Sequence, residues 1–175
     1  MLLKKILHMT NVFFNDQNTI AFDQAGIAHL KEVAQAHPQK CARFCLHHDN
    51  QAGVQEMLLV MHRDSRFAPH RHPNYKSESI HIVEGKIGMS VFDQSGQVTQ
   101  LNVLAPNAQF LFRLEGGTWH LPIALSEWVV FHEVFHGPYS KEDDVESLRH
   151  YQSEAAINSL YNQLISQFKE MESNE

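Results

Sequence analysis

Cysteine is scarce in this 175-residue chain, which holds only Cys41 and Cys45. Their neighbours in Lys40-Cys41-Ala42-Arg43-Phe44-Cys45 favour a strand. Four residues of strand span roughly 13 Å, about twice the Cα separation a disulfide tolerates. The two thiols therefore read as reduced, in a protein that does not rely on cross-links. Glycine (8) and proline (6) are also few, which excludes collagen-like and low-complexity architectures. No apolar run approaches the ~18–20 residues of a membrane span. The runs around Lys4-Lys5 are too short for a signal-peptide core, so a cytoplasmic protein is expected. Basic residues are outnumbered, 14 Lys+Arg against 20 Asp+Glu. They form no cluster of the kind that neutralises phosphates, so a nucleic-acid partner is not expected. Most of the net charge of −6 resides in residues 140–175, which carry 3 basic and 8 acidic side chains.

Histidine, by contrast, is abundant, at 13 of 175 residues. The rest of the composition is that of a globular chain, 43% hydrophobic and 19% charged. A chain of this length buries about 70% of its unfolded surface, enough for one domain. Residues 22–37 predict a helix, with Asp23 as N-cap and Phe22 and Ile27 as a hydrophobic staple. From residue 41 to residue 139 short segments rich in Val, Ile, Phe and Leu alternate with turn chemistry such as Glu84-Gly85 and Glu115-Gly116-Gly117. Many short strands without intervening helices predict an antiparallel sandwich or barrel. An acidic linker follows. Ile157, Leu160, Tyr161, Leu164, Ile165 and Phe168 then recur at helical spacing and predict an amphipathic helix over 153–172. The expected organisation is a helical segment (1–40), a β-barrel (41–139), and an acidic linker with a C-terminal helix (140–175). That last helix can pack on its own barrel or cover a second subunit, and a homodimer is expected.

The informative stretch runs from Pro69 to Gly85. On a strand, His70 and His72 face the same side. Glu78 follows six residues later, beyond a bend at Pro73-Asn74-Tyr75, and re-enters the same cavity from the next strand. With so many histidines, a His-x-His pair is expected about once by chance, whereas the added Glu and turn Gly make the whole pattern rare. His120 sits on a later strand, just after the Gly116-Gly117 turn. A barrel brings such strands together, so His70, His72 and His120 can converge with Glu78 as an oxygen ligand. Three imidazoles and a carboxylate suit one divalent first-row metal, Fe, Mn, Ni, Co, Cu or Zn, with coordination positions left open. Strict alternation from Glu78 turns Ile80 and Ile82 inward and His81 outward. Lys76, Arg43, His47 and Tyr139 are candidate substrate-binding residues, and Glu133 is a candidate partner for a ligand imidazole.

The segment His70-x-His72-x5-Glu78-x6-Gly85 resembles the first cupin motif, and Gly117-x2-His120 resembles the second. The second departs from the usual pattern, with Glu115 in place of a proline and Ala124 in place of a polar residue. Together with CARFCLHH and the closing FHEVFHGPY, residues 20–140 are similar to the WbuC family of cupin-fold metalloproteins. The resemblance implies a double-stranded β-helix, a jelly-roll barrel, with the three-His, one-Glu metal site. It also implies an association with O-antigen and other surface-polysaccharide gene clusters. A small sugar-related ligand is then expected, bound or turned over by isomerase, epimerase or hydrolytic chemistry. A metal-dependent dioxygenase and a non-catalytic metal- or sugar-binding module are the alternatives.

Overall fold

The computed structural model describes residues 10–173. The Lys4-Lys5 pair and the first nine residues of the expected N-terminal segment lie outside the described residues. In chain order the elements are β1 (Val12–Phe14), α1 (Gln24–Ala36), β2 (Cys41–Cys45), β3 (Val54–His62), β4 (His70–Arg71), β5 (Glu78–Glu84), β6 (Ile87–Phe92), β7 (Val98–Leu104), β8 (Leu111–Leu114), β9 (Trp119–Ala124), β10 (Trp128–His136), α2 (Lys141–Asp144), β11 (Glu146–Ser147) and α3 (Glu154–Ser173), with a 3-10 turn at Arg149–Tyr151. The strands form two sheets, ordered β1-β2-β3-β10-β5-β8 and β11-β4-β9-β6-β7. All pairings are antiparallel except β1 with β2. Neighbours such as β3-β10-β5 are far apart in sequence, and the two sheets form the antiparallel barrel that the alternating segments predict, in the jelly-roll, cupin-like form that the resemblance implies.

Each strand reads as two faces. On β10, Val129 and Phe131 join an inner core with Ile80, Ile82, Ile87 and Met89, while Val130 faces outward. The outer face of the first sheet is covered by α1, whose Ile27, Leu30 and Ala34 pack on Ala42, Leu58 and Val60. The Asp23 cap forms as expected, its carboxylate accepting from the Gly26 amide at 2.9 Å. The outer face of the second sheet is covered by α3. Leu160, Tyr161, Leu164 and Phe168 are buried there against Trp119, Leu121 and Ile123. Burying such side chains stabilises by about 1.5–3 kcal/mol each, so the apolar face of α3 is satisfied within its own barrel. The argument for a dimer from a surplus helix therefore falls away. No helix of the described residues is long and apolar enough to cross a membrane.

Two expectations need correction. The N-terminal segment is not only helical, because Val12–Phe14 adds a parallel strand to the edge of the first sheet. Nor is the acidic linker without regular structure at 141–147, although most of its side chains are exposed. It forms α2 and then β11, which pairs with β4 at Glu146–Arg71 and Ser147–His70. Asp144 in this stretch is buried.

Candidate metal centre

The site is built by strand register. His70 on β4 pairs directly with His120 on β9, so two imidazoles meet on one face of the second sheet. His72 lies just beyond β4, and its carbonyl accepts from the Gly117 amide at 2.9 Å. Gly117 has φ +79°, and a Cβ there would collide with the Asn74 side chain. Only glycine lets this turn close against the Pro73-Asn74 bend. The two motifs, some 45 residues apart, are thereby locked together. Gly85, with φ +80°, reverses the chain between β5 and β6 for the same conformational reason.

The three histidines come together. Each offers one ring nitrogen, and the three atoms lie within 4.8 Å of one another. Glu78 faces them from β5 of the opposite sheet. Its Oε2 is 3.1 Å from His72 Nε2 and 3.3 Å from His120 Nε2. As alternation requires, Ile80 and Ile82 follow it into the barrel and His81 is exposed.

Hydrogen bonds behind the rings decide what they present. His72 Nδ1 lies 2.7 Å from the Asp144 carbonyl, and His120 Nδ1 lies 3.0 Å from the Thr118 carbonyl. A carbonyl only accepts, so both Nδ1 atoms carry the proton and both neutral rings aim an Nε2 lone pair inward. Those lone pairs meet a carboxylate oxygen that has no hydrogen-bond donor of its own. Burial of such an oxygen is costly unless a positive charge sits between the groups, either a proton on a ring or a cation. The donor set fits a divalent metal, and the buried, unsatisfied Glu78 oxygen is the structural mark of that fit.

In the metal-free protein the electrostatics follow from burial and neighbours. Burial, with His120 and His72 alongside, pushes His70 down to about 3, so it stays neutral at physiological pH. Burial works against the charged form of Glu78, but His120 and His72 outweigh it and hold the carboxyl below its ordinary range. Burial also opposes protonation of His72, yet Glu78 raises it overall. Glu133, on β10 one inward position from Phe135, the residue paired with Glu78, is pushed up to about 8 by burial and by the Glu78 charge. It therefore holds a proton near neutrality.

These groups open on a cavity of about 400 Å³, whose wall also carries Arg43, Glu133 and Tyr139. A second cavity of about 270 Å³ is lined by His47 and again by Arg43 and Tyr139. Lys76 takes a different place from the one expected. Its ammonium is buried in an ion pair with Asp144 Oδ1 at 2.7 Å and donates to the Pro138 carbonyl. It is not free to hold a substrate anion. Instead it pins the segment whose Asp144 carbonyl orients His72. Asp144 is a positioning residue that sequence reasoning missed, because an acidic run such as Lys-Glu-Asp-Asp reads as solvated.

Residues 22–104 match the family model described as Domain of unknown function (DUF6016). No curated protein matches the chain. Among solved structures it is similar to protein SO0799 from Shewanella oneidensis, at TM-score 0.52 and 10% identity, over 71% of this chain and 81% of that one. It is also similar to the capsular polysaccharide assembling protein CapF from Staphylococcus aureus, at TM-score 0.51 and 14% identity, over 62% of this chain and 31% of that one. A weaker likeness is to the oxalate decarboxylase formate complex of Lactobacillus farciminis, at TM-score 0.44 and 18% identity, over 55% of this chain and 27% of that one. The chain thus spans about a third or less of the length of the last two. At these identities the first two likenesses speak to fold alone.

Proposed function

We propose that this chain binds one divalent first-row metal through His70, His72, His120 and Glu78, and that the metal faces a pocket for a small sugar-related metabolite. The observation that carries this reading is the convergence of carbonyl-oriented imidazole lone pairs on a buried carboxylate oxygen without a donor. When bound, the metal supplies Lewis-acid polarisation of a carbonyl or hydroxyl. The remaining work falls to the chain. His72 and His120 are held in one tautomer by Asp144 and Thr118. Glu133 lies on the cavity wall and is the group placed to give a proton to, or take one from, a bound hydroxyl. The apolar core below the site keeps water from approaching through the barrel.

The link to surface polysaccharide rests on the sequence resemblance to the WbuC family, and the fold likeness to CapF, a capsular polysaccharide assembling protein, points the same way. Elemental analysis of purified wild type and of the His70→Ala/His72→Ala variant tests the metal. Near-stoichiometric metal in the wild type, lost in a variant with unchanged circular dichroism, is the expected result. A wild type that takes up no divalent metal sinks the reading.

A further inference from the structure

The two cavities share a wall. Arg43, Phe135, Tyr139 and Lys141 line both, so these residues form a waist between an inner lobe at the histidines and an outer lobe at His47. Arg43 projects from β2 on the same face as Cys41 and Cys45. Among the described residues neither Arg43 nor Lys141 takes part in an ion pair. An unpaired guanidinium on a cavity wall, within reach of a phenol, is a site for an oxyanion. In the outer lobe, the Glu56 backbone engages His47 Nδ1 at 3.0 Å, and His47 Nε2 is buried without a partner among the described residues.

We propose that the two lobes are one binding site for an elongated hydroxy acid, with its carboxylate on Arg43 at the waist and hydroxyls reaching the histidine lobe and His47. This deepens the metal-site reading and rests on it for the inner lobe. The choice of carboxylate follows from the donors at the waist. The Arg43 amide already donates to the Asn11 carbonyl at 2.8 Å, and the Tyr139 amide donates to the Asn50 carbonyl at 2.7 Å. At these two residues only side-chain donors remain. A planar fork with a neighbouring hydroxyl matches the two oxygens of a carboxylate. Phosphate sites ordinarily add a nest of free backbone N–H groups, which Arg43 and Tyr139 do not offer.

Calorimetric titration of metal-loaded protein tests this with four probes, namely gluconate, its neutral polyol glucitol, glucitol 6-phosphate and the short acid glycolate. Gluconate is expected to bind at least tenfold more tightly than glucitol. Arg43→Gln is expected to weaken gluconate at least tenfold, with glucitol affinity and metal content unchanged. His47→Phe is expected to weaken gluconate but not glycolate, which is too short to reach both ends. Should Arg43→Gln fail to fold, Arg43→Lys keeps the charge, loses the fork and is still expected to bind gluconate several-fold more weakly. Equal gluconate affinity in wild type and variant, no binding of either acid, or tighter binding of the phosphate overturns the proposal. The two readings fail separately. Stoichiometric metal with Arg43-independent binding removes the carboxylate site alone. A metal-free wild type that still binds gluconate through Arg43 removes the metal and keeps the waist.

Discussion

The interior of this barrel has two ends built from the same strands. On β5, Glu78 faces the three histidines, while Ile80 and Ile82, two and four residues on, are sealed in the apolar core. On β10, Glu133 looks into the cavity and Phe131 and Val129 do not leave the core. On β9, His120 gives way to Ala124. Strand alternation fixes only which residues point inward. Position along the strand then decides between a polar cluster and plain packing. Charged and lone-pair-bearing groups crowd one end because the other end, with side chains at or near zero exposure, holds the sheets at a fixed distance. Substitutions at the two ends should therefore fail in different ways.

The largest effect is expected at the polar end. His72→Ala or His120→Ala should reduce metal from about one ion per chain to background, as elemental analysis reads it, while far-ultraviolet circular dichroism stays unchanged. Metal affinity should also fall on acidification, starting above the ordinary histidine value of about 6.5, because Glu78 raises His72 and a proton there competes for a nitrogen that must be neutral to bind, whereas His70 stays neutral. A metal content insensitive to these histidines would erase the distinction between the two ends.

Lys76→Met comes next. It leaves Asp144 buried without its cation, which costs about 3–5 kcal/mol. It also loosens the carbonyl that orients His72, so metal affinity should drop about 10–100-fold. Chemical denaturation with metal titration checks both. Adding Asp144→Leu should recover much of the stability, since replacing the whole pair removes the stranded charge.

At the apolar end, Ile82→Ala should cost about 2–5 kcal/mol in denaturant unfolding and leave metal stoichiometry intact. Loss of metal at moderate denaturant in this variant would show that the two ends unfold as one unit.

How much of this was legible in the chain depends on the range of the signal. Alternation over seven residues of β5 places Glu78, Ile80 and Ile82 inward and His81 outward from sequence alone. Asp23 and the period of α3 are local in the same sense. His70, His72 and His120 were readable as candidates because the spacing within each motif is local. Their tautomers were not, since those depend on the Asp144 and Thr118 carbonyls. Strands of two or three residues, β1, β4 and β11, are too short to carry a period. Lys76 was misjudged for a related reason. Its partner lies 68 positions away in a run of acids that composition assigns to solvent. Arg43 and His47 stand four residues apart on the sequence, but only the folded walls show that Arg43 borders both cavities and His47 the second alone.

The smallest expected effect lies where the second sheet's covering helix reaches the mouth of the polar end. The Tyr161 hydroxyl on α3 accepts from the Phe67 amide at 3.0 Å, just before His70 on the chain. The Arg66 guanidinium lies 4.5 Å over the same ring. Tyr161→Phe keeps the ring and its packing in the core but strands the Phe67 N–H, a loss of about 1–3 kcal/mol. Burial pushes the Tyr161 phenol up to about 12, above its ordinary value of 10. A raised folded-state value means that the unfolded chain loses this proton first. The contribution is complete below about pH 10 and declines as pH rises toward about 12. Wild type should accordingly lose stability over that alkaline window more steeply than Tyr161→Phe, and unfolding curves at pH 9 and pH 11 measure the difference. Parallel pH dependence in the two proteins would mean that the hydroxyl reaches water in solution, and that α3 covers the sheet without bracing the approach to His70.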